Sequence, residues 1–162
     1  MHTRPGTVTL RPVDDVGLDV ATALRVAPGQ ERFVDGVADS LAEAAAHPRA
    51  RPWPRVIVAD EVPVGFLMLA DGAEAGNGII PWPHYLWRML IDGRYQGRGY
   101  GRAALDLVVD HLRGRSGADL LVTSVVPGEG SPYGFYLRYG FRPTGEWFDH
   151  EEVLVLRLTR HG

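Results

Sequence analysis

The sequence predicts a mixed α/β (α+β) fold, and three observations carry that reading. Apolar runs of strand length alternate with segments whose apolar residues recur at helical spacing. The stretch 84–112 passes from a strand-like run through a glycine-rich turn into a helix-like run. The last third of the chain ends on two strand-like runs joined by a charged turn. At 162 residues, 45% of them hydrophobic, the chain suits one globular domain spanning 1–162 with a substantial core.

Each element follows from local signals. Thr7 to Arg11 reads as a strand, and Asp14-Asp15 can cap a helix through about Leu24. A second helix is expected from about Glu31 to Ala46, with Phe33, Val34, Val37, Ala38 and Leu41 on one face and Pro48, Pro52 and Pro54 ending it. Val56 to Ala59 and Val64 to Ala70 are apolar strands joined by a tight turn at Asp60-Glu61. Gly72, Gly76, Gly78, Pro81 and Pro83 mark a loop before the strand His84 to Ile91. Arg102 to Leu112 carries Ala104, Leu105, Val108, Val109 and Leu112 at helical spacing, and Leu120 to Val126 is the next strand. A short helix follows, bounded by Ser131-Pro132 and Gly140, before Arg142 to Phe148 and Val153 to Leu158 close the chain as a hairpin. There are no repeats and no interdomain linker.

Composition excludes several classes of function. A net charge of −3 gives no general affinity for nucleic acid. No apolar run approaches the roughly 20 residues that span a bilayer, and the N-terminus leads into strand-like sequence without a signal-peptide core, so a cytoplasmic location without membrane contact is expected. There is no cysteine, and all 17 basic residues are arginine. Disulfides, thiolate metal sites, a Cys nucleophile and Schiff-base chemistry are thereby removed. No Ser lies in a G-x-S-x-G elbow. His2, His47, His84, His111, His150 and His161 show no H-x-x-x-H or H-x-H spacing, and no metal is expected.

The run Gln96-Gly97-Arg98-Gly99-Tyr100-Gly101-Arg102 carries the chemistry. Glycines let the backbone approach a phosphate, and the free N–H groups of a helix's first turn point at it. A Walker loop would need a lysine, which the chain lacks. Gly99-x-Gly101-x-x-Ala104 matches a dinucleotide fingerprint, but the acid near the required spacing, Asp119, precedes its strand instead of ending it. Gln96-x-x-Gly99-x-Gly101 resembles a third pattern, the Q/R-x-x-G-x-G/A pyrophosphate signature of the GNAT superfamily of acyl-CoA-dependent N-acyltransferases. Phe135-Tyr136-Leu137-Arg138-Tyr139-Gly140-Phe141, continuing through Gly145-Glu146, resembles the same superfamily's F-Y-x-x-x-G-F-x-x-x-G-E segment, in the right order and at the right separation. An αβ turn explains the first motif alone, and a buried Tyr with a helix-ending glycine explains the second alone, but not both together.

The resemblance implies a GNAT fold, a mixed central β-sheet with splayed parallel strands and helices on both faces. The strands ending at Ile91 and Val126 would part, and acetyl-CoA would enter the gap. Counting from Gln96, the N–H of Met89 would face the acetyl carbonyl as an oxyanion donor and that of Ile91 the pantetheine, while N–H groups of Gln96, Gly97, Arg98, Gly99, Tyr100 and Gly101 would hold the pyrophosphate. Tyr136 would protonate the departing thiolate; its other role is to pack and hydrogen-bond the cofactor sulfur. Tyr133 and Tyr139 are expected to pack. With no side chain suited to an acyl-enzyme, direct attack in a ternary complex is expected. The chain departs from many relatives in placing Glu129 and Pro132 where they carry Asn and Ala. The cofactor arm must then find another partner, either Ser131 or none if that hydroxyl caps the helix.

Glu31, Asp35, Asp39 and Glu43 stand four residues apart, either a solvated acidic face or a partner for a cation, with Glu31 and Asp35 the candidate substrate ligands. Glu146, Asp149, Glu151 and Glu152 form a second acidic group. Gln30-Glu31-Arg32-Phe33-Val34, Ser40-Leu41-Ala42-Glu43-Ala44, Leu86-Trp87-Arg88-Met89-Leu90-Ile91-Asp92 and Gly145-Glu146 look like bacterial spermine/spermidine (diamine) N-acetyltransferases, which implies transfer to a small-molecule amine, a polyamine among the acceptors. Members with similar motifs act on aminoglycosides, amino acids or protein N-termini, and an acyl-CoA-binding regulatory module without turnover is the other class of reading. A homodimer, the general base and the physiological acceptor stay open.

Overall fold

The computed structural model describes residues 7–115 and 118–158; His2 and His161 lie outside them. Seven strands form one sheet in the order β1-β2-β3-β4-β5-β7-β6. They are β1 (Val8–Arg11), β2 (Pro52–Ala59), β3 (Val62–Asp71), β4 (His84–Ile91), β5 (Leu120–Val125), β6 (Arg142–Phe148) and β7 (Glu151–Arg157). The helices are α1 (Val13–Val16), α2 (Leu18–Thr22), α3 (Val37–Ala46), α4 (Tyr100–Arg113) and α5 (Tyr133–Tyr139). Every neighbouring pair is antiparallel except β4 and β5.

Helices cover both faces because the central strands are apolar on both. On β2 and β3, Ile57, Ala59, Leu67 and Leu69 pack under Leu105, Val108 and Leu112 of α4 and Tyr136 of α5. The alternate residues Val56, Val58, Phe66, Met68 and Ala70 face Ala21 of α2 and Val37 and Ala44 of α3. At Gly65 an added Cβ would lie 2.5 Å from the Leu90 carbonyl oxygen, so only glycine lets β3 approach β4 there.

β4 contains the irregularity that shapes the site. Met68 pairs with Arg88 and Leu69 with Leu86, leaving Trp87 as an extra residue. The bulge switches the faces: Tyr85, Trp87 and Leu90 join the α3 side, whereas Leu86, Met89 and Ile91 join the α4 side. Pairing of β4 with β5 is confined to Tyr85 with Val122 and Leu86 with Thr123, after which the two strands part.

Two expected helices are corrected. The helix through about Leu24 is two short pieces, because Gly17 between them has φ 106°, outside the helical range. Pro12, rather than Asp14-Asp15, stands at its N-cap position. The helix expected from Glu31 begins only at Val37. Glu31–Phe33 is a single 3-10 turn, Val34 is extended, and Gly36 at ψ 171° precedes α3, so the four spaced acids do not share one face. Glu31 is held in that turn by accepting the Gly29 N–H at 2.8 Å.

Several strand bounds also differ. β2 starts at Pro52, since β1 pairs with β2 only from Val56 onward and the prolines sit where no donor is required on that edge. β5 ends at Val125, and β7 starts at Glu151 because Phe148 pairs directly with Glu151 across a tight turn. α4 extends the expected run at both ends. No helix among the described residues is long and apolar enough to cross a membrane.

Candidate functional site

A cavity of about 760 Å³ fills the space where β4 and β5 part. Met89 and Ile91 line one wall, Thr123 to Val126 the other, and Phe135 and Tyr136 of α5 the base. Because pairing with β5 stops at Leu86, the β4 backbone from Trp87 to Ile91 turns an edge without a strand partner toward the cavity. Such an edge offers N–H donors to a ligand carbonyl.

At one end the cavity reaches the glycine loop. Gly97 (φ 76°) and Gly99 (φ 83°, the N-cap of α4) occupy the left-handed region, turning successive N–H groups inward just ahead of a 14-residue helix whose first-turn donors lack helical partners. Gly101 is required for a different reason. An added Cβ would meet the Phe135 ring at 3.2 Å, so its absence lets α4 and α5 close together. Gln96, Gly97, Gly99, Tyr100 and Gly101 line the cavity, whereas Arg98 does not and points its guanidinium toward the Arg94 carbonyl at 3.4 Å. The cradle fits an anionic phosphate group.

Two groups hold this loop, and the motif reading singled out only one. Gln96 donates through Nε2 to the Ile91 carbonyl at 2.9 Å and to Gln30 Oε1 at 2.7 Å, tying the loop to β4 and to the segment before α3. Asp92, 3% exposed, accepts from the backbone N–H groups of Arg25 and Arg94, both at 3.0 Å, and from the Arg94 guanidinium. Those hydrogen bonds, that of the Arg94 side chain foremost, hold its carboxyl at about 2 against the opposing effect of burial. An acid at the end of a strand, followed by Gly-Arg, is the signal that could have found it.

Tyr136 is 6% exposed and packs edge-on against Phe135 and Phe141. Burial raises its pKa above the ordinary tyrosine value, and the negative character of Tyr85 and Glu151 adds to the rise. The hydroxyl therefore keeps its proton throughout the physiological range. Tyr133 and Tyr139 are not merely packed. Their hydroxyls donate to Glu152 at 3.2 Å and Asp106 at 2.7 Å. Ser131 Oγ donates to the Val126 carbonyl at 2.5 Å and accepts the Tyr133 N–H at 3.2 Å, so the hydroxyl is committed to starting α5. The Glu129-Gly130 loop is instead met by the segment before α3: Arg32 donates to the Glu129 carbonyl at 3.0 Å and Phe33 packs on Gly130.

The opposite end of the cavity is charged. Asp35, Arg88, Asp149, His150 and Glu151 line it, and Glu31 does not. Arg88 donates to Asp35 at 2.8 Å and to Glu43 at 3.2 Å, and Trp87 Nε1 donates to the same Glu43 oxygen at 2.6 Å. Arg88 Nε is buried with no partner. The Tyr85 and Ser124 hydroxyls are hydrogen-bonded to each other beside Glu151. Sequence reasoning had no means of finding this polar cluster, since its members come from β4, β5, β7, α3 and the loop before α3.

Comparison with known proteins agrees with this architecture. The acetyltransferase (GNAT) family model matches residues 18–141. The spermine/spermidine N(1)-acetyltransferase of Bacillus subtilis (strain 168) is 33% identical over 75 residues, which is 46% of this chain and 49% of that protein, so the match spans about half of the curated relative. Among solved structures, an acetyltransferase from Thermus thermophilus superposes with a TM-score of 0.65 at 24% identity, covering 96% of this chain and 99% of that one. The N-acetylglutamate synthase of Neisseria gonorrhoeae, solved with coenzyme A and N-acetyl-glutamate, superposes with a TM-score of 0.65 at 17% identity over 96% of this chain and 36% of that one. At these identities the structural likeness is one of fold.

Proposed function

The chain belongs to the acetyltransferase (GNAT) family, and on that premise we propose that it works as one N-acetyltransferase domain, moving the acetyl group of acetyl-CoA to a primary amine of a small cationic acceptor, a polyamine first, by direct attack with both substrates bound. The observation that carries this reading is one cavity that joins a phosphate cradle, an unpaired strand edge, a buried tyrosine hydroxyl and a carboxylate-lined mouth.

In this reading the N–H groups from Gln96 to Gly101 bind the pyrophosphate, that of Ile91 the pantetheine, and that of Met89 the developing oxyanion, with no reorganisation needed during the reaction. Tyr136 gives its proton to the departing thiolate; a raised pKa keeps that proton in place until a strongly basic sulfur develops. Asp35, Asp149 and Glu151 outnumber Arg88 at the mouth, which favours a cation. Asp35 serves this role better than Glu31, whose carboxylate binds the Gly29 N–H outside the cavity lining. The partial match to a spermine/spermidine acetyltransferase supports the polyamine assignment.

Release of free thiol from acetyl-CoA, followed across a polyamine, a monoamine, an aminoglycoside and an amino acid, tests the proposal. The polyamine should be turned over best, and Asp35→Asn should raise its KM more than that of the monoamine, with the difference shrinking in high salt. Binding of acetyl-CoA without turnover of any amine would leave a regulatory binding module. Turnover of only an aminoglycoside or amino acid would keep acetyl transfer and discard the polyamine.

A further inference from the structure

We infer that Glu151 is the group that takes the proton from the acceptor's ammonium before attack, held in place by the Ser124 and Tyr85 hydroxyls; this rests on the acetyl-transfer reading above. An aliphatic amine with an ordinary pKa of about 10 is almost wholly protonated at neutral pH and has no lone pair to offer, so the cavity must supply a proton acceptor.

The candidates at the mouth are few. Asp35 is committed to Arg88 at 2.8 Å and its side chain is 60% exposed. Asp149 and His150 form the exposed turn between β6 and β7. Glu151 opens β7 opposite Phe148, one residue beyond the last β5–β7 pair at Val125 and Glu152, so it sits where β5 runs into the cavity. It lines the cavity together with Ser124 and Tyr136, is half-buried, and makes no salt bridge among the described residues.

Every element around it bears on its charge. Burial pushes its carboxyl above the ordinary glutamate value, Asp35 and Asp149 push the same way, and Arg88 on β4 and the Ser124 hydroxyl on β5 oppose them. Tyr85 on β4 is itself driven to about 12 by burial and remains neutral beside Glu151, while Tyr136 on α5 faces it across the cavity. Glu43 on α3 shares Arg88 and leaves less of that cation for Glu151. A carboxylate so placed has a higher proton affinity than one in water while still being ionised at neutral pH, which suits a base.

The protons balance. An N–H bond of the ammonium breaks, its electron pair stays on nitrogen, and the proton goes to the Glu151 carboxylate. The lone pair then forms the C–N bond to the acetyl carbon as the C–S bond breaks and its pair leaves on sulfur. Tyr136 gives its proton to that sulfur and recovers one from the nitrogen as it becomes an amide. Glu151 returns its proton to solvent at the mouth, one per turnover.

The test compares pH profiles for a diamine and for the same diamine fluorinated beside the reacting nitrogen, whose amine is already unprotonated at neutral pH. For Glu151→Gln, kcat on the plain diamine should fall about a hundredfold at neutral pH and the acid limb should vanish, the rate rising with the fraction of free amine, whereas the fluorinated diamine should lose less than about threefold. Acetyl-CoA affinity, measured by calorimetry, should not change. Should the glutamine variant lose acetyl-CoA binding, Glu151→Asp carries the test, since its acid limb should move while the fluorinated acceptor is spared. Equal losses on both acceptors with the acid limb intact, or a change in KM alone, would overturn the assignment and leave acetyl transfer standing. A wild-type protein that binds acetyl-CoA but acetylates neither amine would overturn both.

Discussion

Replacing Asp92 tests whether one buried carboxylate frames the phosphate cradle. Its side chain is 5% exposed and accepts from the Arg25 N–H, the Arg94 N–H and the Arg94 guanidinium, at 3.0, 3.0 and 2.9 Å. The carboxyl is held at about 2 where 3.8 is ordinary, and at about 1.4 kcal/mol per pH unit that gap corresponds to about 2 kcal/mol of folding stability. The sign follows from the direction. The folded-state value lies below the unfolded one, so the contribution is complete above a pH of about 5 and disappears as the pH falls through about 4 toward 2. Asp92→Asn keeps the shape but removes the charge and turns one acceptor into a donor. It should cost about 2–3 kcal/mol at neutral pH, lowering Tm by about 4–12 °C for a chain of this size. Urea unfolding of both proteins between pH 2 and 7 decides it: the two stability curves should converge toward the acid end, and acetyl-CoA should bind the variant more weakly. A constant offset at every pH, or equal stability at neutral pH, would refute the charge-based account.

Two further outcomes concern the cavity directly. Gly99→Trp forces a bulky residue into φ 83° at the mouth of the cradle and should weaken acetyl-CoA binding by at least about tenfold, whereas Arg98→Ala, outside the cavity lining, should cost much less because backbone N–H groups make the contact; calorimetry on folded variants separates the two. Tyr136→Phe preserves the packing against Phe135 and Phe141 and should lower kcat about ten- to a thousandfold with little change in acetyl-CoA affinity, and undiminished turnover in a chemistry-limited assay would show that the thiolate leaves unaided.

Local pattern in the chain determined the order of strands and helices, the tight turn at Asp60-Glu61, the glycine loop ahead of α4 and the placement of Gly140 at the end of α5. These depend on periodicity, turn chemistry and positive φ, which act over a few residues and can be read from neighbours. Acidic spacing misled at Glu31 and Asp35, because the extended backbone at Val34 and Gly36 overrode the helical pattern. Tertiary structure alone decided which residues meet. The extra residue at Trp87 is visible only against β3, and it turns Met89 and Ile91 toward α4 and α5. The parting of β4 from β5 after Leu86 and Thr123, the hold of Asp35 and Glu43 on Arg88, and the gathering of Tyr85, Ser124 and Glu151 likewise join residues up to about a hundred positions apart. Such contacts are chosen by the competition of whole strands and helices to bury their faces, and that competition leaves no signature in any short stretch of sequence.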